Sequence, residues 1–135
     1  MLSNISIGAN DPVVSGQFYE AVLVPLGYER HEIEGSARFS LRGVADKDNG
    51  PGTVWIQKPF DGKVATAGNG MMPAFRAADP ETVQRLHAAG IAAGGTDEGP
   101  PGTRAYYSED FYVAYLRDPV GNKVSVFCVL DPHST

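Results

Sequence analysis

The feature that most constrains this chain is a repeat at a fixed spacing. Asp11 and Asp79, Pro12 and Pro80, Ala9 and Ala77, Ala21 and Ala89, and Gly27 and Gly95 all stand 68 positions apart in a sequence of 135 residues. Such a period marks supersecondary units that cannot bury a hydrophobic face alone and must stack on one another. Each half is too short to cover its own sheet, so the two are expected to pack as one unit around a shared core. Asp-Pro also occurs at 118 and 131, which makes that pair weak evidence by itself; the glycine helix stop at the same offset strengthens it.

Local patterns give each half the same element order. Asn4-Ile5-Ser6-Ile7 alternates polar and apolar and reads as a strand. Asp11-Pro12 is a helix start, with Asp as cap and Pro at the first position, where its missing N–H is not needed. Val14, Phe18, Ala21 and Val22 then recur at helical spacing until Pro25 and Gly27. Extended segments follow at Arg38 to Leu41 and Thr53 to Gln57, around a loop whose Asp46-Lys47-Asp48-Asn49-Gly50 is a turn signal. In the second half Met72 to Phe75 reads as a strand and Asp79-Pro80 as a cap. Val83, Leu86, His87 and Gly90 form a helical stripe, closing at Gly94-Gly95. Phe111 to Leu116 and Val124 to Leu130 are strands joined by the turn Asp118 to Asn122. Residues 1–135 are therefore expected to form a single domain of two repeats, about 1–62 and 70–131, joined by a Gly-rich linker.

Composition narrows the function classes. With 42% hydrophobic and 20% charged residues the core can fill without staples. The single cysteine, Cys128, lies in the apolar run from Val124 to Leu130 and reads as a small buried hydrophobe. It can form neither an intrachain disulfide nor a zinc cluster. A net charge of -5 without any Lys/Arg cluster argues against nucleic acid as a partner. The start Met1-Leu2-Ser3-Asn4 has no charged leader with an apolar core behind it, and the longest apolar runs are of strand length. The expectation is a cytoplasmic protein with no membrane partner.

Paired modules opening on Ile7-Gly8-Ala9-Asn10-Asp11 carry further landmarks. They are joined through Lys58-Pro59-Phe60-Asp61-Gly62 and Ala67-Gly68-Asn69-Gly70, and Ala93 to Gly99 and Tyr115 to Lys123 follow. With these the chain resembles, over nearly its whole length, the glyoxalase/bleomycin resistance protein/dioxygenase family of the vicinal oxygen chelate superfamily. The resemblance implies an α+β fold of two βαβββ modules, their curled mixed sheet enclosing a central cleft with helices outside, and often a homodimer. The fold hosts isomerases, dioxygenases, drug-modifying enzymes and binding proteins alike. In its metal-dependent members each module gives one ligand near the start of its first strand and one on its last. The matching places here are Asn4, Gln57, Met72 and Ser125. Two neutral amides, a thioether and a hydroxyl are a poor donor set for a divalent first-row ion, so no metal or other cofactor is expected.

If those four side chains face inward, strand alternation brings Ser6, Trp55, Ala74 and Phe127 with them and turns Ile5, Ile7, Ile56, Phe75, Val124 and Val126 toward the helices. That wall suits a small organic ligand, stacked on Trp55 and Phe127 and oriented by Asn4, Ser6, Gln57 and Ser125 beside Met72. The rival reading is a filled interior whose polar groups satisfy one another. Arg104 and Tyr106, in a cluster with Tyr107, Glu109 and Asp110, form a lid candidate, which the resemblance puts near the cleft mouth; Glu109, Asp110 or a tyrosine are candidate bases, and the alternative is a surface loop. His87 reads as a helix-edge packing residue, and His31 and His133 as surface groups. No catalytic residue is identified. The leading reading is a metal-free binder of a small organic molecule, against a superfamily lyase, isomerase or dioxygenase with an unusual or absent metal, and an interaction module with a vestigial cleft.

Overall fold

Two Asp-Pro pairs start two helices. The Asp11 carboxylate accepts the Val13 and Val14 N–H groups at 3.0 and 3.4 Å, opening α1 (Pro12–Leu23). Asp79 accepts both the N–H and the hydroxyl of Thr82, at 2.8 and 2.7 Å, opening α2 (Pro80–Ala92). Each cap satisfies helix donors that would otherwise lack a partner, worth about 1 kcal/mol. The Thr82 bonds also hold the Asp79 carboxyl below its ordinary pKa. The chain, seen here as a computed structural model, is described over residues 1–44 and 50–130. The turn signal at 46–49, the last Asp-Pro pair and His133 lie outside the described residues.

Eight strands accompany the helices: β1 (Asn4–Gly8), β2 (Tyr28–Ile33), β3 (Ser36–Leu41), β4 (Thr53–Gln57), β5 (Ala74–Arg76), β6 (Thr96–Arg104), β7 (Ser108–Arg117) and β8 (Lys123–Val129). They form two four-stranded sheets, ordered β1-β4-β3-β2 and β5-β8-β7-β6. In each, the first strand of the module runs parallel to the last, while the remaining pairs are antiparallel. The order βαβββ thus occurs twice, and the fold is α+β.

Two strands lack a sequence signal. β2 covers the charged run Glu29-Arg30-His31-Glu32, whose side chains shield a sheet edge. β6 runs through Gly99-Pro100-Pro101-Gly102, which reads as a loop. As an edge strand it tolerates two residues without N–H groups, and its pairing with β7 shifts register around them. At the other extreme β5 is short and begins at Ala74, so Met72 precedes the strand.

The repeat spacing holds at the start of each module and then slips. Ala9 and Ala77, 68 apart, are both buried and make the same bond to the last strand, but their acceptors are Gln57 and Phe127, which are 70 apart. Gly27 closes the first helical segment with φ +101°, and its conformational counterpart is Gly94 at +102°, not Gly95. Gly95 instead permits a close approach, since an added Cβ there would stand 2.4 Å from the Phe18 ring. In the last strand the register counterpart of Gln57 is therefore Phe127, and that of Trp55 is Ser125.

The modules share one core. Ile7, Phe18, Val22, Phe39 and Ile56 of the first and Phe75, Val83, Leu116, Val124 and Val126 of the second belong to one buried cluster. A polar clamp crosses the junction. Asp118 is 3% exposed, and its carboxylate accepts the N–H groups of Val120, Gly121 and Asn122, the Asn122 amide at 2.9 Å and the Tyr19 hydroxyl at 2.7 Å. The Asn122 amide also donates to the Gly8 carbonyl at 3.1 Å. The turn Asp118 to Asn122 is thus the second module's grip on α1 and β1 of the first.

Candidate functional site

Residues opposite each other across a sheet share a face, so the register defines the wall that the helices leave bare. On the first sheet Ser6, Trp55, Arg38 and His31 form one row. On the second, Arg76, Phe127, Val113 and Gly102 form a row, and Ala74, Ser125, Tyr115 and Gly99 form the next.

The second wall is a run of rings. Tyr106 lies 4.6 Å from Tyr107 between ring centres, Tyr107 5.8 Å from Phe111, and Phe111 5.4 Å from Phe127. Cations lie over these rings and their neighbour Tyr115: Arg76 over Phe127 at 5.8 Å, Arg104 over Tyr115 at 5.6 Å, and Lys123 over Tyr115 at 4.9 Å. Gly99 makes the Tyr115 stack possible, since a Cβ there would meet the ring at 2.7 Å. The Arg104 guanidinium is also anchored by the Pro100 carbonyl at 2.7 Å. Burial chiefly, with Tyr107 and Tyr106 nearby, pushes the Tyr115 hydroxyl above its ordinary pKa and keeps it a donor.

Among the described residues, three hollows are linked through Met71 and Met72. The largest, about 430 Å³, is lined by Met72, Tyr107, Phe111, Tyr115 and Val129 together with Ser108 and Asp110. A second, about 290 Å³, lies where β1 and β5 begin and includes Asn4, Ile5, Thr53, Met71, Met72 and Phe75. The third, about 180 Å³, includes Ser6, Gly8, Thr66, Met71, Asn122 and Lys123. Exposed Met71 and Met72 each border two of the three, and flexible thioethers adapt readily to shape.

The residues singled out from sequence are distributed, not gathered. Asn4 and Met72 line the second hollow, Ser6 the third, and Met72 also the first. The Gln57 amide donates to the Ser6 hydroxyl at 3.2 Å, so these two satisfy each other. Trp55 is half-buried beneath the Arg38 guanidinium at 5.6 Å. Ser125 is buried, 2% exposed, and Phe127 stacks within the ring run. Arg104 is half-buried on Tyr115, and Tyr106 is an exposed end of the run. Asp110 borders the largest hollow and accepts the Ser108 hydroxyl, while Glu109 is exposed. Tyr107, of the lid cluster, borders the same hollow, and Phe111, Tyr115, Arg76 and Lys123 are the wall residues beyond that set. The alternation Phe111, Val113, Tyr115 followed by Lys123, Ser125, Phe127 is the signal that places them on one face.

Other titratable groups are structural. His87 Nε2 lies 2.8 Å from the Asp97 carboxylate, linking α2 to β6, and that bond holds the Asp97 carboxyl below its ordinary pKa. Cys128 is in the core, and burial pushes its thiol up, away from reactivity. Among the described residues no three His, Cys, Asp or Glu side chains converge as a metal site would require.

Similarity to known proteins agrees with this architecture. No protein-family model matches the chain, and no curated protein matches it. Among solved structures, a glyoxalase/bleomycin resistance protein from Albidiferax ferrireducens T118 is 40% identical and superposes with a TM-score of 0.77, covering 93% of this chain and 96% of that one. A glyoxalase/bleomycin resistance protein/dioxygenase family enzyme from Burkholderia phytofirmans PsJN, 21% identical, has a TM-score of 0.69 over 96% of this chain and 98% of its own. A glyoxalase-related enzyme from Fulvimarina pelagi, 19% identical, reaches 0.71 over 95% and 87%. The latter two share the fold. At the identity and coverage of the first, the chain belongs to the glyoxalase/bleomycin resistance protein family, with the vicinal oxygen chelate fold. No helix among the described residues is long and apolar enough to cross a membrane.

Proposed function

We propose that this chain binds a small organic molecule with an aromatic or flat apolar part, seated on the bare wall of the second sheet. The observation that carries the reading is the ring pair Tyr107–Phe111, which with Tyr115 borders a hollow of about 430 Å³ and is backed by Phe127 against Phe111. That volume lies within the range of small-molecule pockets, and its lining is mostly apolar with a few polar groups, the usual composition of such sites. Stacking on preorganised rings costs little ordering of the protein.

The family's metal is a poor fit to this chain. The first-strand places hold Asn4 and Met72, and the last-strand places hold Gln57 and either Ser125 by the 68 spacing or Phe127 by strand register. A phenyl ring has no donor, and amide, thioether and hydroxyl groups bind divalent first-row ions weakly. The Gln57–Ser6 bond supports the same reading, because these groups are partnered by each other.

Calorimetric titration with naphthol, an uncharged aromatic probe, tests the proposal. Binding is expected, and Phe111→Ala and Tyr107→Ala are each expected to weaken it by about 1 kcal/mol, roughly fivefold. Tyr107 is exposed, so its variant folds even if the other is damaged. Absence of binding at millimolar naphthol, or binding indifferent to both substitutions, overturns the proposal. A second copy of the chain is the competing occupant, and sedimentation of the Tyr106→Ala, Tyr107→Ala double variant distinguishes it: a dimer lost in that variant places the partner on the wall instead.

A further inference from the structure

We infer that the ligand of this wall is an anion, an aromatic or heteroaromatic compound bearing a carboxylate or comparable acidic group. This deepens the binding reading above and rests on it.

The chain as a whole is acidic, with a net charge of -5, yet its bare second wall presents cations. Arg76, Arg104 and Lys123 all face it, as their positions over Phe127 and Tyr115 require. Among the described residues none of the three has a carboxylate within ion-pairing distance, whereas Arg30 pairs with Glu20 and Glu32, and Arg117 with Glu98. The carboxylates that feel Lys123 and Arg104 at longer range are already engaged, Glu98 by Arg117 at 3.0 Å and Asp97 by His87 at 2.8 Å. Asp110 is the opposing charge at the hollow, and it accepts the Ser108 hydroxyl.

The placement also sets the ligand's shape. Lys123 and Phe127 stand four residues apart on β8, roughly 13 Å along the strand, with Arg76 beside Phe127 at the far end. Lys123 and Arg104 both stack on Tyr115, which borders the largest hollow, and Lys123 also lines the hollow containing Ser6 and Thr66. An aromatic ring resting on Tyr107, Phe111 and Tyr115 therefore places a carboxylate within reach of Lys123 or Arg104. Rings that hold these cations in place leave less ordering to be done on binding.

The test is a matched series: naphthoate, naphthol and naphthylmethylammonium, titrated calorimetrically at low and high salt. Naphthoate is expected to bind about tenfold more tightly than the ammonium compound at low salt, with a preference that shrinks as salt screens the charges. Lys123→Gln and Arg104→Gln, which remove the two cations over Tyr115, are each expected to reduce that preference toward equal binding of the three compounds. Equal binding of all three compounds, or tighter binding of the ammonium compound, overturns the anionic ligand and leaves the binding reading standing. Failure of all three to bind overturns the binding reading itself.

Discussion

Replacing Tyr19 by Phe isolates one bond of the clamp between the modules. Tyr19 is fully buried, and its ring packs edge-on against Phe18 at 4.9 Å, a contact that Phe retains. What is lost is the 2.7 Å bond from the hydroxyl to the Asp118 carboxylate. Hydrogen bonds to charged groups contribute about 1.5–3 kcal/mol. Asp118 keeps its three backbone donors and the Asn122 amide, so its charge is not left bare and the lower figure, about 1.5 kcal/mol, applies. With an unfolding entropy near 2.1 cal/mol/K per residue, a chain of this length changes Tm by about 5 °C for that loss. Thermal and urea unfolding of the two proteins measure it, with the urea m-value expected to be unchanged.

The same bond has a pH signature. Burial, then the charge and hydrogen bond of Asp118, raise the Tyr19 pKa well above the ordinary phenol value. A group whose pKa is raised on folding contributes stability that is complete below its unfolded pKa and is lost as pH rises beyond it. The wild-type protein should therefore lose stability above about pH 10, and Tyr19→Phe should lose less. A Tm shift under about 1 °C together with an unchanged alkaline profile would refute the claim that this bond ties the modules.

Three other substitutions probe the remaining contacts. Gly95→Ala forces a methyl to 2.4 Å from the Phe18 ring and 2.9 Å from the Arg117 carbonyl, and should cost about 1–3 kcal/mol in urea unfolding. Gly99→Ala, on the edge strand, displaces the Tyr115 ring and should weaken naphthoate binding severalfold in calorimetry with a smaller loss of Tm. Asp97→Asn removes the carboxylate that faces His87; because the Asp97 carboxyl is held low, the stability it contributes is present above its ordinary pKa and lost as pH falls. Its Tm deficit should close as pH falls below the ordinary aspartate range.

The sequence made some of this architecture legible and concealed the rest for identifiable reasons. Asp11 and Asp79 announced both helices because capping is local chemistry, and β4 is bounded at Thr53 and Gln57 as its alternation implies. β2 and β6 were hidden because edge strands carry charges, prolines and glycines that elsewhere mark loops. The 68 spacing aligned the module starts but not the last strands, so Ser125 took the place that the hydrogen bonds give to Phe127. Tyr106 and Phe127 belong to the ring run, whereas Trp55 sits on the first sheet under Arg38. The role of Asp118 was beyond a one-dimensional reading, since its partner Tyr19 is 99 residues away.

The most direct measurement of the binding account is where a bound aromatic probe sits. Intermolecular nuclear Overhauser contacts from naphthoate to labelled Phe and Tyr rings, or a crystal structure of the complex, locate it. The account predicts contacts to Tyr107, Phe111 and Tyr115 with the carboxylate toward Lys123 or Arg104. A probe found instead against Trp55, or in the hollow of Asn4 and Phe75, would contradict it.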